Sequence, residues 1–196
     1  MNQYVKYLCK IQGVTPCLMD NGRKADPRDE FSKSIHKLIK SKVRGQVFAE
    51  EQLVELARLQ FMGGLYLTED GRPGWPGENI EALFLAAARK FKKGKVVPVA
   101  LLIDGTWPLI YDGPKSAEKL WQHGGFHKTC QAKQKGFLVT RPKFDKWELE
   151  FEVQVDSEVI DESDIRQWLE VAGYSVGLSA WRPKYGRFVV LSIKAM

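Results

Sequence analysis

One segment of the chain alternates strictly. In WELEFEVQV, Trp147, Leu149, Phe151, Val153 and Val155 share one side, and Glu148, Glu150, Glu152 and Gln154 share the other. That period of two is the signature of a strand with one buried face. Residues 2–12 also alternate, with Tyr4, Lys6, Leu8 and Lys10 against Val5, Tyr7, Cys9 and Ile11. Apolar residues on both sides place this strand inside a sheet. Gly13 and Pro16 end it, and Leu18 and Met19 follow. Two apolar runs, Val96–Asp104 and Phe188–Ile193, read as buried strands, the first with Pro98 suggesting an edge or a bulge.

Helical spacing appears four times. Ile80, Leu83, Phe84, Ala87, Ala88 and Phe91 line one face of a helix that starts at Pro76-Gly77. It ends in Arg89, Lys90, Lys92, Lys93 and Lys95, cations suited to a helix C-terminus. Ile165, Trp168, Leu169 and Ala172 predict a second helix over 161–172, with Gly173 just past its end. Helices are also expected over 31–43 and 47–61, the latter stopped by Gly63-Gly64. Asp20–Asp29 reads as a loop, and residues 65–73 as a small hairpin or turn. Between 105 and 146 the pattern loosens to a short strand at 107–111 and a helical turn at 116–122.

The long elements, taken alone, run strand 3–12, helix 77–92, strand 96–104, strand 147–155, helix 161–172, strand 187–194. That order is βαββαβ, an α+β ferredoxin-like core. The expectation is one domain over 1–196, with large insertions at about 13–76 and 105–146, a kind of insertion that usually serves function.

Composition adds a preference for partners. The 196 residues carry a formal net charge of +6, and a basic chain favours an acidic partner such as nucleic acid. The charge is segregated. Residues 113–146 hold eight cations and two acids, while residues 147–170 hold nine acids and one cation. Phe126, Phe137 and Phe144 are interleaved with the cations, as in an electrostatic track with stacking platforms; an ordinary solvated loop has the same composition. Cys9, Cys17 and Cys130 are scattered and odd in number, which points to a reducing cytoplasm. No signal peptide or membrane-length apolar run is read.

AGYSVGLSAWRPKYGRF, residues 172–188, is the densest concentration of candidate chemistry. Three glycines allow close backbone approach. Arg182, Lys184 and Arg187 suit phosphates, and Tyr174, Trp181 and Tyr185 offer stacking faces. The alternative is a glycine-rich turn whose rings cap the core. Lys92, Lys93, Lys128, Lys133 and Lys135 form a second tier of phosphate contacts. His123, His127 and Cys130 have a spacing zinc can use, but no fourth ligand is visible. No phosphate-binding loop of the G-x-x-x-x-G-K-[ST] type occurs.

PGENIEALFLAAAR and the glycine-rich loop before the last strand resemble the RAMP superfamily of CRISPR proteins. GVTPCLM, RPKFDKWELEF and the WRP…GRF ending are also similar to phage-borne and prophage-borne proteins without assigned chemistry. The resemblance covers about half the chain. It implies a ferredoxin-like fold, single-stranded nucleic acid (RNA or DNA) on a basic face, and head-to-tail stacking with copies of itself or with CRISPR effector subunits. Some members cut RNA, and His36 lies on the helix most like a cleaving member's histidine position, though outside the core. The resulting expectation is a non-enzymatic single-stranded nucleic-acid binder without metal or cofactor. Two alternatives stand beside it: a phage-borne protein that mimics or blocks a CRISPR effector backbone, and a metal-free endoribonuclease.

Overall fold

The two alternating segments are the centre of one antiparallel sheet. The computed structural model describes residues 4–41, 48–131 and 138–196. The chain runs through β1 (Tyr4–Gly13), β2 (Cys17–Leu18), α1 (Glu30–Lys40), α2 (Glu50–Gly64), β3 (Gly74–Pro76) and α3 (Gly77–Ala88). It continues through α4 (Val97–Ala100), β4 (Leu101–Leu102), β5 (Thr106–Ile110), α5 (Ala117–His123) and β6 (His127–Gln131). It ends with β7 (Leu138–Phe144), β8 (Glu148–Asp156), α6 (Glu162–Ser175) and β9 (Phe188–Ala195). The chain divides into two compact units, one of residues 1–18, 67–113 and 144–196, the other of residues 19–66 and 114–143.

In the first unit the sheet order is β3-β5-β8-β1-β9, with β4 also paired to β8. With α3 and α6 as its crossovers, this is the βαββαβ ferredoxin-like arrangement. Trp147, Leu149, Phe151, Val153 and Val155 are all buried. Burying each such side chain is worth about 1.5–3 kcal/mol. A one-residue slip of β8 would turn all five outward, so register is fixed by something on the order of 10 kcal/mol. Ile80, Leu83, Phe84, Ala87 and Ala88 of α3 and Ile165, Trp168, Leu169 and Ala172 of α6 are buried as their spacing predicts.

Four expectations are corrected. Residues 97–100 form a helical turn with Pro98 at its start, where the missing N–H costs nothing, so the strand shrinks to Leu101–Leu102. Gly173 lies inside α6; a Cβ there would collide with the Phe188 carbonyl, so the glycine serves packing. Gly63 and Gly64 are the last residues of α2, and a Cβ on Gly63 would sit 2.9 Å from Phe31 Cβ. β9 is an edge strand, with Val189 and Leu191 about half exposed.

The acidic face of β8 is largely matched within the sheet. β1 and β8 pair in the register Lys6↔Gln154, Lys10↔Glu150 and Gln12↔Glu148. Lys10 Nζ lies 2.8 Å from Glu148, and Lys6 Nζ lies 3.7 Å from Glu152. Gln12 Nε2 also donates to Glu148 Oε1 at 3.0 Å. The charge segregation read along the sequence is therefore reduced in space.

The second unit contains α1, α2, α5 and the antiparallel pair β6–β7. Asp29 caps α1 by accepting the Phe31 and Ser32 N–H groups. Asp20 accepts from Lys24 Nζ at 2.6 Å and Arg141 at 2.8 Å. Phe61 is fully buried, 5.5 Å from the Trp121 ring and 6.4 Å from the His127 ring. The expected ends of α1 and α2 at residues 43 and 47 lie outside the described residues.

Candidate nucleic-acid interface

The loop between α6 and β9 is a folded platform. Leu178 N donates to Gly186 O at 2.8 Å, closing the loop on itself. Gly186 N donates to Pro16 O and Ala180 N to Leu18 O, both at 2.8 Å, tying the loop to the segment after β1. Ser179 Oγ accepts the Leu18 N–H at 2.8 Å. Arg187 N donates to Thr15 Oγ1 at 2.9 Å, and Arg187 O accepts the Val14 N–H at 2.7 Å. Gly177 and Gly186 have φ of 80° and 76°, and a Cβ on either would strike backbone carbonyls across the loop. These two positions need glycine for both conformation and space.

This platform holds out Trp181, Arg182 and Lys184. Trp181 is 36% exposed and has φ of 62°. A non-glycine residue in that region costs roughly 1–2 kcal/mol, and such strain clusters at functional positions. The Trp181 ring lies 6.1 Å from that of Tyr185, and Lys184 Nζ lies 6.0 Å from the Tyr185 ring centre. Arg182, Lys184 and Arg187 are exposed, and Arg187 Nε donates to Pro183 O at 2.9 Å. The Arg182–Pro183 peptide is cis. Tyr174 is 64% exposed on α6.

The second tier is dispersed. Lys92 is exposed, with φ of 61°, at the end of a turn of 3-10 helix over Arg89–Phe91. Lys93 Nζ binds both oxygens of Asp164, at 2.6 and 2.9 Å, so its charge is matched at the start of α6. Nearby, Lys90 Nζ donates to Ser175 Oγ at 2.6 Å. Lys128 sits half-buried on β6 in the second unit, opposite Arg141. Lys133 and Lys135 lie outside the described residues. Thr15 and Ser179 were not legible as parts of this site, because their partners are distant in sequence.

The histidines have different surroundings. His36 is exposed on α1. His123 packs 5.2 Å from Phe126, and His127 packs 4.9 Å from Trp121. The Cys130 thiol donates to Val139 O at 3.4 Å. Burial, and then the charge of Lys143, push the His127 pKa down. Among the described residues no three His, Cys, Asp or Glu side chains form a metal-binding group. No helix among them is long and apolar enough to cross a membrane.

Fold and platform together define an α+β, ferredoxin-like protein with a cationic, aromatic glycine-rich loop. Among solved structures the fold is similar to a chain of the type III-B Cmr-beta complex, determined bound to cognate target RNA. The TM-score is 0.54 at 12% identity, covering 99% of this chain and 61% of that one. The chain thus spans about six-tenths of that neighbour's length. No family model matches the chain, and no curated protein matches it in sequence.

Proposed function

We propose that this protein binds single-stranded RNA on the platform of residues 176–187, as a CRISPR-related protein of RAMP type and without chemistry of its own. The observation that carries this reading is Trp181, a partly exposed residue with a strained backbone, followed by the exposed cations Arg182 and Lys184 on a loop fixed by its own hydrogen bonds. Arg182 and Lys184 would neutralise phosphates, and Trp181 would stack a base. The fold's likeness to a chain from a complex bound to target RNA supports RNA over DNA. Lys92 is a secondary contact in this reading.

The test is binding of labelled single strands across a salt series. Log affinity is expected to fall linearly with log salt, at a slope of about −0.7 per neutralised phosphate. RNA should bind more tightly than DNA of the same sequence. A flat salt response, or binding undetectable at low salt, would overturn the proposal.

A further inference from the structure

The two edges of the main sheet are built differently. One edge is β3, three residues long, containing Trp75, which is buried, and Pro76, which lacks an N–H. The other is β9, eight residues paired only with β1 among the described residues. Proteins usually blunt such an edge with charge, proline or short length. Here β9 carries one lysine, Lys194, and one register shift, yet it exposes Val189 at 49% and Leu191 at 47%, in a run without proline or acid.

The backbone pattern shows which groups face outward. Arg187 O accepts from Val14 N at one end, and Met196 N donates to Lys6 O at the other. The register shifts opposite Lys10 and Ile11, so Leu191 is the extra residue of a bulge. Antiparallel alternation from each end then turns Phe188 and Val190 outward before the bulge, and Ile193 and Ala195 outward after it. The Phe188 carbonyl lies against Gly173 of α6. Val190, Ile193 and Ala195 remain, a row with no strand partner among the described residues, with the exposed cations Arg187 before it and Lys194 within it.

We infer that β9 receives an extended segment of a partner protein, added as a further antiparallel or parallel strand. That segment has β-branched residues in its middle and carboxylates at its ends. Main-chain hydrogen bonds to that row would supply affinity, as in other strand-addition complexes. The carboxylates would meet Arg187 and Lys194. A second copy fits less well, because a seam of two β9 strands holds four cations and no acid. This surface borders the platform at Arg187 but does not use Trp181, Arg182 or Lys184, and the inference stands without RNA binding.

The probe is a fluorescent peptide of alternating valine and threonine with two glutamates at each end. Its partners are a lysine-ended version and a version N-methylated on alternate amides. Anisotropy with the full chain is expected to show binding of the glutamate-ended peptide, and at least tenfold weaker binding of the other two. Lys194→Glu, a surface change, should weaken the glutamate-ended peptide about fivefold and favour the lysine-ended one. Hydrogen exchange should slow at Val190, Ile193 and Ala195 on binding, whereas Trp181→Ala should leave peptide affinity unchanged. The inference fails if no peptide binds at millimolar concentration, or if all three bind alike. It also fails if those three amides are unaffected, if the free protein sediments as a dimer protected there, or if single-stranded RNA displaces the peptide completely.

Discussion

Gln60 acts as a substitute strand for Thr140. Its Oε1 accepts the Thr140 N–H at 2.8 Å, and its Nε2 donates to Leu138 O at 3.2 Å. One carboxamide thus satisfies one donor and one acceptor that β7 presents away from β6. Thr140 is buried with Gln60 in place, so its amide relies on that side chain for a partner.

Gln60→Ala is therefore expected to destabilise the protein by about 1–3 kcal/mol, the cost of orphaning a buried backbone group. Gln60→Glu keeps the acceptor and loses the donor, and should fall between. Urea unfolding checks both. Equal stability of Gln60→Ala and wild type would mean that water replaces the carboxamide at no cost.

Trp181→Ala should weaken single-stranded RNA by about 1–3 kcal/mol, the value of a base on an aromatic ring. Trp181→Gly should weaken it as much, yet melt no lower than Trp181→Ala, because glycine relieves the positive φ. Titrations and thermal melts on both variants separate the roles. A large loss of stability with unchanged binding would identify Trp181 as a cap of the core.

Cations differ in how free they are. Arg182→Ala and Lys184→Ala should each reduce the salt slope by about 0.7 and leave stability nearly unchanged. Lys93→Ala should leave the slope alone and lower stability, since it strands Asp164, whose side chain is 11% exposed. The paired readout is slope against urea midpoint for each variant.

Acid should weaken the second unit in two stages. Burial opposes the charge of Asp20, but Lys24 and Arg141 outweigh it and hold its pKa below the ordinary value. A lowered pKa gives stability that is complete above about 3.9 and is lost as pH falls through the folded value. His127 is also lowered, by burial and then by Lys143. Its share is complete above about 6.5 and is lost as pH falls through its own folded value. Urea midpoints from pH 8 to pH 3 should show both losses. His127→Gln should flatten the upper stage and Asp20→Asn the lower.

The core was readable because burial imposes a period. β8 and α3 bury the residues their spacing selects, except that Phe91 falls in the 3-10 turn after α3 and is only half-buried. Val96–Asp104 misled because an apolar run has no period, and only Pro98 marked the helical turn. β7 was hidden by its polar residues: the buried Thr140 has its hydroxyl 2.8 Å from that of Thr129, and on the other side Arg141 turns to Asp20. In the candidate site, the cations and Trp181 were visible as residue types. Their supports were not, because Thr15 reaches Arg187 and Leu18 reaches Ser179 only through the fold.

Those long-distance clasps make the platform a product of the whole molecule. Leu18 and Ser179 are 161 positions apart, and Thr15 and Arg187 are 172 apart. Contacts of such separation form late, after the entropy of closing the chain has been overcome. A nascent chain on the ribosome would have made the Pro16 side of the clasp long before the Gly186 side existed to receive it. A synthetic peptide of residues 172–188 would carry the cations and rings but not the shape that arrays them. If the platform binds RNA as proposed, only chains that have completed the sheet would compete for it, and unfinished or misfolded copies would not occupy it.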